Sequence, residues 1–208
     1  MPLQKIVSGG QTGVDQAALR AALACGLEIG GWCPPGRVCE AGIIPEEFPL
    51  RETTDDRSVC APDVPRSQRS EWNVRDSDAT LILRSREVKN ADSGTDWTAQ
   101  CTDRCARPYL VCDPTEGGAI ERAKVWIEAM GVHTLNVAGP SEAASPGIGE
   151  KACFMLANLI QCLDRYVDAG AETAWGSELV RRAEEITSQR ARGEPADKVF
   201  SELRSKHS

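Results

Sequence analysis

The stretch Lys5-Ile6-Val7-Ser8-Gly9-Gly10-Gln11-Thr12-Gly13-Val14-Asp15 constrains this chain more than any other. A short apolar run gives way to three glycines and two hydroxyls, and then to a helical pattern, so a strand, a tight turn and a helix follow one another directly. Glycines leave room for close approach, and the main-chain N–H groups of a helix start point outward, an arrangement that suits an anion. The dipole of a helix beginning near Val14 adds roughly half a positive charge at the same place. The stretch therefore predicts a phosphate-like oxyanion over Gly9–Gly13, with an empty strand-to-helix turn as the plainer alternative.

From there the chain alternates. Gln4–Ser8 predicts a buried strand and Val14–Cys25 a helix, whose Ala17, Ala18, Ala21 and Ala22 let it lie close against a sheet before Gly26 ends it. Leu27–Trp32 is a second strand, opening into Cys33-Pro34-Pro35-Gly36-Arg37, where two prolines forbid regular structure. Residues 38–69, rich in Pro, Asp, Glu and Arg and without a periodic apolar signal, predict a long surface excursion that is flexible near 53–67. Glu71–Asp76 then predicts a short helix, Ala79–Leu83 a third strand, and Ser93 to Ala106 a helix. A strand over Pro108–Cys112, a helix over Glu116–Met130 and a fifth strand over Val132–Ala138 lead to a last helix over Glu150–Val167.

Strands separated by helical stretches require parallel pairing, with helices covering the sheet. The fold class is α/β: a Rossmann-like, doubly wound, mainly parallel sheet of five or slightly more strands with helices on both faces, spanning residues 1–167. Residues 168–208 shift to Ala, Glu, Arg, Ser and Lys and predict a charged helical C-terminal extension, to which no chemistry attaches.

A formal charge of −7 argues against a general nucleic-acid binder or a ligand of anionic membranes. No run of about 18 apolar residues offers a membrane span. The first residues enter a strand rather than a signal peptide, so the cytoplasm is the expected location. Nine cysteines, an odd number scattered over predicted helices and strands, do not spell a disulfide framework. Cys101 and Cys105, one helical turn apart, could join Cys33 and Cys39 around a metal, but the chain has only His133 and His207, and no metal site is expected. The same scarcity leaves no nucleophile beside an imidazole. Acid–base chemistry would rest on Asp15, Asp96 or Glu142; binding without catalysis is the simpler expectation, and no catalytic residue is assigned.

Ligands of an open parallel sheet bind at the carboxyl ends of its strands, where the strand order reverses. The order 2-1-3-4-5 is preferred here, with 3-2-1-4-5 left open. In the first, the turn after strand one (Ser8, Gly9, Gly10, Gln11, Thr12, Gly13) and the helix start after strand three (Ser93, Gly94, Thr95) face one crevice, and Gly139, Pro140 and Ser141 after strand five open at the same end. Arg37 follows a glycine in a proline-stiffened loop and suits a bidentate phosphate contact. Arg75 is a second cation, with Asp76 and Asp78 as competing partners. Asp15 lies in the first turn of its helix, where a carboxylate is favourable in any case; a ligand hydroxyl or a Mg²⁺ ion would be its functional partner. Neither a P-loop nor the dinucleotide Gly-x-Gly-x-x-Gly is present.

Five stretches, in order along the chain, resemble the putative molybdenum carrier family, part of the wider SLOG group of Rossmann-like proteins that includes nucleotide phosphoribohydrolases. They are Ser8-Gly9-Gly10-Gln11-Thr12-Gly13-Val14-Asp15, Gly30-Gly31-Trp32-Cys33-Pro34, Gly36-Arg37, Glu71-Trp72-Asn73-Val74-Arg75-Asp76-Ser77-Asp78 and Leu135-Asn136-Val137-Ala138-Gly139-Pro140. The resemblance runs from Lys5 to Val167. It implies a binding protein that holds molybdenum cofactor, or a related phosphorylated pterin or nucleotide, in a glycine-rich crevice for storage or delivery to molybdoenzymes, as a homo-oligomeric dimer or tetramer. Gly9, Gly10, Gln11, Thr12, Gly13, Arg37, Ser93, Gly94 and Thr95 are carried over as the binding set. This chain has Pro35 and Ser141 where the family pattern carries Lys and Arg. The group also implies alternatives: a nucleotide N-glycosidase, or a nucleotide-sensing module that uses the charged tail. The first expects Pro-Gly-Gly-x-Gly-Thr followed by Glu, where this chain reads Asp92-Ser93-Gly94-Thr95-Asp96.

Overall fold

The structure, a computed structural model, describes residues 3–85 and 93–164. The helical extension expected over 168–208, and the last residues of the loop before Ser93, lie outside the described residues. Residues 1–165 form one compact unit.

A five-stranded parallel sheet is its centre: β1 (Lys5–Val7), β2 (Glu28–Gly30), β7 (Ala79–Leu83), β8 (Tyr109–Cys112) and β9 (Thr134–Ala138). Two-residue strands make small pairs beside it, β3 (Trp32–Cys33) with β6 (Arg51–Glu52) in parallel and β4 (Val38–Cys39) with β5 (Gly42–Ile43) antiparallel. The helices are α1 (Val14–Ala24), α2 (Ser67–Arg75), α3 (Ser93–Arg104), α4 (Ala119–Met130) and α5 over 148–164. On one face, Ile6, Leu81, Leu83, Leu135 and Val137 of the sheet meet the apolar sides of α1, α4 and α5 in the main core. The four alanines of α1 are all buried there, as their small size predicts. On the other face α2 and α3 pack against each other, with α3 against β7. Every fully buried Leu or Ile of the core contributes about 1.5–3 kcal/mol of transfer free energy.

The sheet order is β2-β1-β9-β7-β8. Counting only its five strands, that is 2-1-5-3-4, which corrects the expected 2-1-3-4-5: the last strand enters between the first and the third. Local chemistry explains the place it takes. Asp78, just before β7, accepts the N–H groups of His133 (3.0 Å) and Thr134 (2.8 Å), and so fixes the start of β9 beside β7. Asn136 then donates from Nδ2 to the Thr80 hydroxyl (3.2 Å), a buried polar pair that apolar neighbours would leave unsatisfied. β8, by contrast, exposes Tyr109 and Val111 and stands at the edge.

The predicted surface excursion is also corrected. Ile44 and Phe48 are fully buried and join Leu19, Cys33, Cys39 and Leu50 in a second apolar cluster. Their irregular spacing hides them from any periodicity argument. The stretch expected to be flexible is tied by side chains: Ser67 Oγ accepts the Ser58 N–H (2.8 Å) and donates to the Ala61 carbonyl (3.0 Å), and Thr53, Ser58 and Ser67 are buried. The helix before β7 starts at Ser67, earlier than Glu71, because this loop supplies its anchor.

Candidate functional site

A crevice of about 200 Å³ opens at the carboxyl ends of the strands. Gln11 and Asp15 form one wall, Arg66, Arg69 and Ser70 of the α2 region another, and the start of α3 a third. Because β9 separates β1 from β7, Gly139 and Ser141 stand between the two predicted turns.

The glycines of the opening turn serve the chain itself. The Arg69 side chain occupies the place a Cβ on Gly9 would need. A Cβ on Gly10 would come within 2.6 Å of Leu50 and 2.9 Å of Ile44, and one on Gly13 within 2.6 Å of the Pro140 carbonyl. Three N–H groups at the turn are engaged: Gln11 donates to Asp15 Oδ2 (3.2 Å), Thr12 to Gln11 Oε1 (2.9 Å) and Val14 to the Pro140 carbonyl (3.3 Å). Ser8 is fully buried and donates to the Val137 carbonyl (2.7 Å), fastening β1 to β9.

The unfilled bonding capacity lies one step further into the crevice. Arg69 Nη1 pairs with Asp15 Oδ2 at 2.5 Å, while the Arg69 Nε–H is buried without a partner among the described residues. Gln11 spends its Oε1 on the N–H groups of Thr12 and Glu40 (2.8 Å), and its buried Nε2 has no partner among the described residues either. A buried donor without an acceptor costs about 1–3 kcal/mol, so two such groups on residues that line one crevice call for an acceptor beyond the described residues. Asp15 is 2 % exposed; burial raises its carboxyl above the usual range, against the opposing pull of Arg69 and of the Gln11 N–H. At the mouth, Glu40 accepts from the hydroxyls of Thr12 (2.9 Å) and Ser141 (2.7 Å).

Ser93, Gly94 and Thr95 of α3 do line this crevice, with Gln11 and Asp15 opposite. Gly139 and Ser141 line it too, while Pro140 contributes its carbonyl to the start of α1. The two predicted cations do not. Arg37 turns its guanidinium onto the main-chain carbonyls of Leu50 (2.9 Å), Pro45 (3.2 Å) and Phe48 (2.9 Å), where it holds the second apolar cluster in shape. Arg75 forks onto Asp76 (2.7 and 2.9 Å) and lies 4.8 Å over the Trp72 ring. Asp76 also accepts the Trp32 indole N–H (2.7 Å), and the Asn73 amide brackets the Trp32 main chain (2.8 and 2.9 Å). The tryptophan and Asn-x-Arg-Asp motifs thus hold one another in place.

Sequence reasoning missed Arg66, Arg69 and Glu40. The signal was present in the two arginines of Arg66-x-x-Arg69 at a helix start, where Arg66 caps α2 and Arg69 lies in its first turn. It sat in the segment read as surface. Cys33 and Cys39 belong to the second apolar cluster and Cys101 and Cys105 to a third, so the four do not converge. Among the described residues no group of three or more His, Cys, Asp or Glu side chains is placed to hold a metal.

This fold has known relatives. The model of the circularly permuted YpsA SLOG family matches residues 6–160. The chain belongs to that family. Among solved structures, this SLOG chain is similar to one named as a putative molybdenum carrier protein from Syntrophus aciditrophicus, at 33 % identity and a TM-score of 0.65, covering 76 % of this chain and 96 % of the other. No curated protein matches it. Among the described residues no helix is long and apolar enough to cross a membrane.

Proposed function

We propose that this SLOG family member binds and carries a small phosphorylated ligand, molybdenum cofactor or a related pterin or nucleotide, and holds it in the crevice between Gln11, Arg69 and the start of α3. The observation that carries the reading is a pair of buried donors without a partner among the described residues, Gln11 Nε2 and Arg69 Nε, on two side chains that line one cavity. A phosphate oxygen satisfies both, and the dipole of α3 favours the same charge. The acceptor beside them, Asp15, suits the amino and N–H edge of a pterin or a sugar hydroxyl, so the lining fits a ligand that is anionic at one end and hydrogen-donating at the other. A Mg²⁺ ion bridging the phosphate to Asp15 is compatible with this arrangement. The resemblance to a molybdenum carrier supports the cofactor as the pterin in question, delivery to molybdoenzymes as the use, and a homo-oligomer, dimer or tetramer, as the form. Ser93, Gly94 and Thr95 contact the phosphate in this reading; Arg37 and Arg75 do not.

The purified full chain tests it. Saturable protection of molybdenum cofactor against air oxidation is expected for the wild type. Arg69→Gln, which removes the guanidinium, lowers the affinity by about tenfold to a hundredfold, the worth of a charge-assisted bond or two. Absence of protection at a large molar excess of protein sinks the cofactor reading.

The burial of Asp15 beside a ligand cavity favours one second reading. A carboxyl whose hold on its proton is strengthened by burial is a candidate general acid, as N-glycoside cleavage of a nucleoside monophosphate requires. Release of free base from nucleoside monophosphates by the wild type, lost in Asp15→Asn, would place this second reading first.

A further inference from the structure

Glu40 sits on the turn between β4 and β5, and its carboxylate is held by groups from two other loops. Oε2 accepts from the Thr12 hydroxyl (2.9 Å) after β1, and Oε1 accepts from the Ser141 hydroxyl (2.7 Å) after β9. The Ala143 N–H also donates, and Arg66 is the nearby cation. Burial works against the charge on Glu40, yet these donors outweigh it and keep the carboxyl below the usual range.

Both hydroxyls are oriented in advance. Thr12 Oγ1 accepts the Glu142 N–H (3.3 Å) and Ser141 Oγ accepts the Ala144 N–H (3.3 Å). A hydroxyl has one proton to give. With main-chain donors approaching each oxygen, both protons are directed to the Glu40 carboxylate. Two fixed O–H groups, a main-chain N–H and a guanidinium nearby make the donor set that any oxyanion takes, and a carboxylate is the nearest thing to one that a protein supplies.

Resting on the crevice as the ligand site, we propose that Thr12, Ser141 and the Ala143 N–H form a second oxyanion subsite, suited to a phosphate or carboxylate group, which Glu40 fills in the free protein and yields to the ligand. This subsite is separate from the Gln11 and Arg69 donors deeper in, so a ligand with two anionic groups, or one long phosphate chain, engages both.

A purely structural strap makes the opposite forecast. If Glu40 only ties the rim, its removal loosens the loops after β1 and β9 and weakens anion binding. If it stands in for the ligand, its removal uncovers donors already in place and removes a repelling charge. Calorimetric titration of the full chain with inorganic phosphate and pyrophosphate at neutral pH separates the two. Glu40→Ala is expected to bind the probe about tenfold tighter than the wild type. Thr12→Val or Ser141→Ala in that background returns the affinity to the wild-type value. Glu40→Gln keeps the size of the side chain and one acceptor while removing the charge, and it shows an intermediate gain whether or not the alanine variant folds well. Equal or weaker probe binding by both Glu40 variants overturns the proposal. The probe needs no pterin, so tighter phosphate binding stands even if the chain fails to protect molybdenum cofactor, and cofactor protection unaffected by Glu40→Ala leaves the carrier reading intact while removing the subsite.

Discussion

Asp15 and Arg69 face each other at 2.5 Å, with 3 % and 16 % of their side chains exposed, so neither is well solvated. Taking such a pair out of water is costly, and burial dominates for Asp15, raising its carboxyl above the usual value of 3.8. The folded chain therefore holds this proton more tightly than the unfolded chain does. The stabilisation this gives is complete below the unfolded value and is lost as pH rises through the folded one. Glu40, Asp76 and Asp78 shift the other way, contributing stability above their unfolded values and losing it in acid. Asp15→Asn removes only the first effect. Urea unfolding of wild type and variant between pH 4 and 7 is expected to show the variant gaining on the wild type as pH rises, since the other carboxylates cancel in the difference. A gap that stays constant means that Arg69 fully offsets the burial. A carboxylate that costs stability at neutral pH, opposite an arginine with an unspent donor, suits a site built to meet something else.

The segment 38–52 shows at the scale of an element how little of a fold periodicity can reveal. α1 and α4 were legible because each repeats its apolar residues at a helical spacing, and β7, a nearly continuous apolar run, was placed to the residue. Ile44, Phe48 and Leu50 repeat at neither, and their turns are held by Arg37 from outside, a long-range bond that no local pattern encodes. A cation after a proline-rich loop reads equally well as a phosphate ligand and as a clamp on carbonyls. Arg37→Lys, which keeps the charge but loses the planar fork, decides between them. It is expected to cost about 2 kcal/mol of unfolding free energy, with phosphate affinity unchanged. Lower affinity at unchanged stability would return Arg37 to the ligand site. The start of α3, by contrast, was legible as part of the crevice, because glycine beside hydroxyls at a helix N-terminus has a local meaning.

For the whole molecule, class and topology came apart. Alternating strands and helices determine a parallel sheet, but the order of the strands depends on which edges bond, and that was decided by Asp78 reaching His133 and Thr134 and by Asn136 meeting Thr80. Those polar side chains carry no periodic signal. The crevice followed the same rule: its general place was readable from strand ends, while its cations came from a helix whose start depends on the loop before it. The position of β9 also bears on how the chain reaches this state. Lys5 pairs with Thr134 and Ala79 with Leu135, so the middle of the sheet is closed by the strand that is synthesised last. Until it emerges, the pairs β1 with β2 and β7 with β8 have no strand to join them, and the inner edge of each stays open to the wrong partner. Such long-range closure makes for slow folding, and it makes the birth of the molecule, on the ribosome, the moment at which it most needs protection from its neighbours.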